Sequence, residues 1–161
     1  MKTLIASFLL VTVLSATAVA QSKSFISFKE KFIGLEDVHH LSLNGFFART
    51  IFKMVAEDDL NHAVKAIKNI RLVTVPKAAF QKQNVSVPGF KNVLHGDAFE
   101  ELAHVKENGD DITLYMQSTQ KNDNRYMVLV EEEYVVTLIE FRGKVDPDFL
   151  IKNRPMSYNK S

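Results

Sequence analysis

Apolar positions repeat with two different periods along this chain, and the changes of period mark out its elements. Phe25, Phe28 and Phe32 fall at i, i+3 and i+7, one face of a helix that Ser24 caps and Gly34 stops. Residues 36–43 alternate instead, with His39, Leu41 and Leu43 on one side and Val38, His40 and Ser42 on the other. That predicts a strand, broken by Asn44-Gly45. Helical spacing returns over residues 46–57, where Phe47, Ile51, Met54 and Val55 make a stripe that Phe46 and Phe52 widen. Asp58-Asp59 offers a further cap before Leu60, Ala63, Val64 and Ile67. Residues 70–75 are β-branched and apolar enough for a buried strand, which Pro76 ends.

The second half is mostly β in period. Residues 77–83 and 90–95 predict short helical turns, with Val87-Pro88-Gly89 as a turn between them. Asp97 and Glu100 resemble a capping box, which favours a helix after Phe99. Asn108-Gly109, a strong hairpin signal, favours a strand over residues 102–106, and the strand is the preferred reading. Strands over 112–117, 125–130 and 134–142 then form an antiparallel meander. Asp146-Pro147 starts a last helix to about Lys152. The expected architecture is a single α+β domain over residues 21–153. It has two layers: a mostly antiparallel sheet with helices packed on one face, and a C-terminal β-meander. Residues 154–161 form a flexible tail.

One detail of the meander bears on function. Tyr126, Val128 and Val130 oppose Met127 and Leu129, while Val136 and Leu138 oppose Val135, Ile139 and Phe141. Both faces of these strands are apolar, so both need cover. Helices supply it on one face. On the other it comes from residues 77–98 or the N-terminal helix folding over, or from self-association or a docked protein.

Composition adds a compartment. Lys2, the apolar run Leu4 to Leu14 and Ala18-Val19-Ala20 before Gln21 have the parts of a secretory signal peptide over residues 1–20. The run is too short for a membrane span, which needs roughly 20 apolar residues. Cleavage after Ala20 removes one charge, Lys2, and takes the formal net charge from +1 to zero. Neutrality disfavours nucleic acid as a partner and a charge-held membrane surface. There are no cysteines, which excludes disulfides, thiolate metal sites and a lipid anchor at the cleavage site. A Cys-free exported domain fits a bacterial periplasm or exterior; Asn84-Val85-Ser86 and Asn159-Lys160-Ser161 are then chance matches to the glycosylation pattern.

No catalytic constellation stands out. The histidines are His39, His40, His62, His95 and His104, with no H-E-x-x-H among them. There is no G-x-S-x-G and no phosphate-binding glycine loop. The paired carboxylates fall at expected turns or helix starts, and no tryptophan is present to stack on sugars. The runs Phe99-Glu100-Glu101-Leu102, Asp111-Ile112-Thr113-Leu114-Tyr115, Met127-Val128-Leu129-Val130 and Phe141-Arg142-Gly143-Lys144-Val145-Asp146 resemble an exported bacterial family of Bacteroidetes type. That family is known as domain of unknown function 4252. The resemblance covers roughly residues 24–152 and implies a small periplasmic or secreted domain, with no catalytic residue to carry over. Many members look like lipoproteins, and this chain departs from them in lacking the lipidated cysteine.

Three functional expectations follow. The first is a non-enzymatic exported protein acting by protein–protein contact, with a protein partner or a second copy and no cofactor. The second is an apolar-ligand module with a pocket between the Phe-rich helix and the sheet. Leu41, Phe47, Phe52, Met54, Met127 and Leu129 are the candidate pocket or interface residues. The third is a hydrolase or metal site assembled around His40, His95 or His104.

Overall fold

The computed structural model describes residues 21–44, 66–107, 109–119 and 123–144. Among these residues six strands make one sheet: β1 (His39–Asn44), β2 (Ile67–Pro76), β3 (Glu100–Glu107), β4 (Asp110–Gln117), β5 (Asn124–Glu131) and β6 (Val135–Gly143). Their order across the sheet is β1-β2-β6-β5-β4-β3, and every neighbouring pair is antiparallel. Three described helices, α1 (Lys23–Phe32), α2 (Lys77–Lys82) and α3 (Val87–Gly96), pack on one face. The fold is α+β, and β4, β5 and β6 are its C-terminal meander. The helices expected over 46–67 and 146–152, and the tail, fall on residues outside the described ones. Ala66 and Ile67 are the exceptions: Ile67 begins β2 and is buried there, so the helical stripe does not reach it.

The core lies between the helices and the odd positions of β2, β4 and β5. Val73 pairs with Leu138, Leu138 with Leu129 and Leu129 with Thr113, which puts all four on the helix side. Against them lies a cluster of phenylalanine rings. Phe28 sits 5.0 Å from Phe32, 5.8 Å from Phe80 and 4.6 Å from Phe90, in the tilted and edge-on arrangements that aromatic rings prefer. The Phe25, Phe28 and Phe32 spacing read from the sequence is therefore the face that α1 buries.

Three groups hold the start of α1. Its cap is Ser22 rather than Ser24: the Ser22 hydroxyl accepts from the Phe25 N–H at 3.2 Å. Ser24 donates its N–H and its hydroxyl to one Asp97 oxygen, at 2.9 and 2.7 Å. The Ser22 N–H donates to the buried Glu140 carboxylate at 2.9 Å, and Arg71 holds that carboxylate's other oxygen, also at 2.9 Å. A helix start leaves N–H groups without partners and a partial positive charge, and two carboxylates from distant parts of the chain meet both needs.

Elsewhere the turn chemistry is local. Val87-Pro88-Gly89 is the first turn of α3 rather than a connecting turn. The Ser86 hydroxyl caps it, and a proline in the first turn loses no helical hydrogen bond. Gly109 takes φ +94° in the two-residue link from Glu107 to Asp110, which settles residues 100–107 as strand rather than helix. Gly143 is required for a different reason: a Cβ there would collide with the Ala66 backbone carbonyl at the start of β2.

Replacing Phe28 by Ala should cost about 3–5 kcal/mol in urea unfolding, since no alternative side chain can fill the ring cluster. Leu41→Ala, at a position 52% exposed, should cost under about 1 kcal/mol. Gly143→Ala should be among the most damaging single-methyl additions, losing about 1–3 kcal/mol by overpacking.

Candidate functional site

The positions that alternate with the core rows point away from the described helices and build a second apolar face. Pairing places Leu41 beside Leu72, Leu72 beside Ile139, Ile139 beside Val128, Val128 beside Leu114 and Leu114 beside Ala103. One uncharged apolar row thus crosses all six strands. A flanking row pairs Leu43, Ile70, Phe141, Tyr126 and Met116. On the other flank Thr74 and Thr137 share a hydrogen bond of 3.1 Å between their hydroxyls.

The two faces differ sharply in burial. On the helix side Val73, Val136, Leu138 and Leu129 are 0–1% exposed. On the opposite side Leu72, Ile139, Val128 and Leu114 are only half-buried, and Leu41 is open. Tyr126 is the exception at 0% exposure: it stacks on Phe141 at 4.9 Å and packs in a small cluster with Ile67. One corner of the second face is therefore closed, and the central row is not packed as the core is.

The strand sides that face this way correct part of the sequence reading. Residues 77–98 and the N-terminal helix, which were to cover the second apolar face, both pack on the first. The alternation in β4 also resolves unexpectedly. Thr113 and Tyr115 lie in the helix-side interior, and the apolar set Ile112, Leu114 and Met116 faces away from the helices.

Apart from the buried Arg71–Glu140 pair on the helix side, the ion pairs sit at the margins of the sheet. Asp111 accepts from His104 at 2.7 Å and pairs with Lys106 at 3.4 Å. Burial works against the Asp111 carboxylate, but His104, Lys91 and Lys106 outweigh it and hold its pKa below the usual carboxylate value. Asp123 bridges Lys68 at 2.7 Å and Arg142 at 3.0 Å. Burial again opposes the charge, and the two cations again win, so its pKa is lowered too. Lys91 pairs with Glu131 at 2.9 Å, which raises its pKa against the opposing effect of burial.

The sequence-predicted site residues do not gather in one place. Leu41 lies on the face opposite the described helices, and Met127 and Leu129 lie buried on the other. Phe47, Phe52 and Met54 fall outside the described residues. His40 is on β1 and His104 on β3, the opposite edges of the sheet. Five strand spacings, about 24 Å, separate those edges, too far for one metal ion. His95 lies nearer His104's side, with its ring 6.0 Å from Tyr115. Among the described residues no group of three His, Asp or Glu side chains could hold a metal, and no helix is long and apolar enough to cross a membrane.

A cleft of about 240 Å³ between α1 and α3, floored by Phe28, Phe32 and Phe90 with Lys31 at its rim, was not visible in the sequence. It depends on how two helices approach each other. Its volume is below the roughly 300–1,000 Å³ of ligand pockets and suits a single side chain better than a small molecule.

Comparison with known proteins gives one match: the family described as "Domain of unknown function (DUF4252)" covers residues 3–152. No curated protein and no solved structure matches the chain.

The depressed carboxylates fix the sign of the acid response. A folded pKa below the unfolded value near 3.9 contributes stability that is complete above that value. It is lost as pH falls through the folded pKa. Stability should therefore be flat near neutrality and drop below about pH 4. In Asp123→Asn, urea unfolding across pH 2–6 should show a smaller drop than in the parent, from a lower neutral plateau.

Proposed function

We propose that this chain, which belongs to the family described as Domain of unknown function (DUF4252), is an exported, non-enzymatic protein that works through protein–protein contact made by the face of its sheet opposite the described helices. The observation that carries the reading is the apolar row Leu41–Leu72–Ile139–Val128–Leu114–Ala103, exposed at Leu41 and half-buried beyond it, where the opposite face is sealed.

The occupant that fits best is a second copy. Six strands about 4.8 Å apart, with eight residues at about 3.4 Å each, give a footprint on the order of 700 Å². A stable interface takes roughly 800 Å² per partner. The central row is uncharged, so the same patch on two copies is self-complementary and meets no repulsion. Two sheets stacked face to face lie about 10 Å apart with their side chains interdigitated, and such a pair would bury the row. Zero net charge on the chain from Gln21 onward removes long-range repulsion as well.

Export rests on the residues 1–20 pattern, and the fold is compatible with it. Ser22, which caps α1 and bonds to Glu140, lies after the expected cleavage point, so cleavage after Ala20 leaves the start of α1 whole. The lack of cysteine suits a chain that receives neither disulfides nor a lipid anchor.

Light scattering on the purified mature chain should give twice the chain mass at micromolar concentration, falling to one on dilution. Val128→Lys should give one chain mass throughout, with thermal stability of the dilute protein lowered by under about 1 kcal/mol. A parent that is monomeric at every concentration contradicts the proposal. So does a Val128→Lys loss of about 3–5 kcal/mol independent of concentration, because that is the cost of burying an unpaired charge inside one chain.

A further inference from the structure

The two edges of the sheet are built differently. β3 carries Glu100, Glu101, Lys106 and Glu107, and its register shifts between Glu101 and Ala103. Charges and a bulge are devices that keep an edge strand from pairing with another chain. β1 has neither: His39–Asn44 contains no Asp, Glu, Lys, Arg or Pro, and it pairs with β2 in unbroken register. Residues 39–42 are all exposed, and among the described residues no strand lies beyond β1. Every second residue of β1 therefore turns its N–H and carbonyl outward with no described strand to meet them. The side chains beside that edge are sorted by face. Leu41 and Leu43 pair with Leu72 and Ile70 on the face opposite the described helices, while His40 and Ser42 pair with Val73 and Arg71 on the helix side. There they border a cleft of about 60 Å³ that Lys29 of α1 shares. Arg71 in that cleft is held by Glu140 at 2.9 Å, whereas Lys29 has no carboxylate partner among the described residues.

We propose that the outer edge of β1 is a strand-addition site for an extended segment of a partner protein in which apolar and acidic residues alternate. In this mode main-chain hydrogen bonds to the edge supply affinity, and pockets for alternate side chains select the segment. The side chains of an added strand alternate between faces. One set lies beside Leu41 and Leu43 and extends the apolar row. The other lies over the cleft, where a carboxylate meets Lys29. A second copy of β1 fits less well, because it brings no carboxylate to Lys29 and would bring its own lysine instead. The site is separate from the face-to-face contact proposed above and does not depend on it.

The test is hydrogen exchange read by NMR on the full mature chain, with and without a short blocked peptide that alternates valine and glutamate. Without peptide, alternate amides over residues 39–44 should exchange fast. Peptide at about ten times its Kd should slow them about 10-fold, the factor set by the free fraction that remains. A fully N-methylated peptide, with the same side chains and no N–H, should have no effect. A peptide with lysine in place of glutamate should bind about 3- to 10-fold more weakly, and Lys29→Glu should reverse that preference. Outward amides of β1 already protected without peptide would show that the chain covers this edge itself and would overturn the proposal. So would a valine–glutamate peptide that leaves β1 unchanged at millimolar concentration, or slows exchange on β3 instead. Equal binding of the glutamate and lysine peptides would overturn the acidic character of the partner. Light scattering on the same samples separates the two interfaces: a monomeric chain that binds the peptide at β1 contradicts the sheet-face pairing and supports strand addition.

Discussion

Phe25, Phe28 and Phe32 reach the sheet because α1 lies flat on it, and α1 lies there because two carboxylates hold its first turn. Asp97 comes from the end of α3 and Glu140 from the middle of β6, so the clamp ties together parts of the chain that are 73 and 118 residues away from their partners. Each bond alone is modest. Charge-assisted bonds to a buried carboxylate are stronger than neutral ones, and losing one leaves the other group desolvated without a partner. Ala98, held at φ +59° next to Asp97, shows that the backbone accepts a rarely used conformation just where that carboxylate is aimed.

The clamp decides more than the position of one helix. With α1 fixed on the Val73–Leu138 side, and α2 and α3 joining it, all the described helices serve one face. The sheet nonetheless carries apolar residues on both. Apolar area left partly in water costs roughly 25 cal/mol per Å², so a row of six such side chains is a standing driving force for association. That is why the face opposite the described helices, rather than any cluster of titrating groups, is the centre of the functional reading. The charged pairs around Asp111 and Asp123 fit a different task, neutralising the margins of the sheet where strands and turns meet.

Much of the fold could be read from residue patterns because its elements obey single-residue rules. The Phe25-Phe28-Phe32 spacing, Pro76, Gly34 and Asn108-Gly109 each acted locally, and the meander followed from alternation alone. The two-sided apolar character of β5 and β6 was equally legible. What could not be read was which face each helix would take, because that is settled by contacts such as Ser24 with Asp97 that no period in the sequence reports. For the same reason Leu41 and Met127, both apolar strand residues, looked like neighbours in a pocket although pairing sets them on opposite sides. Gly143 shows the converse: nothing in the period of β6 asks for glycine there, and the approach of Ala66 explains why it is glycine.

The absence of cysteine allows a direct measurement of whether the face opposite the described helices is closed by another molecule. Single cysteines at Val128 and Leu129 would report adjacent positions on opposite faces. The account predicts that thiol labelling of Val128→Cys is slow in concentrated protein and accelerates on dilution, while Leu129→Cys stays protected throughout. Equal protection of both, unchanged by dilution, would show that the chain seals its own second face and would contradict the account.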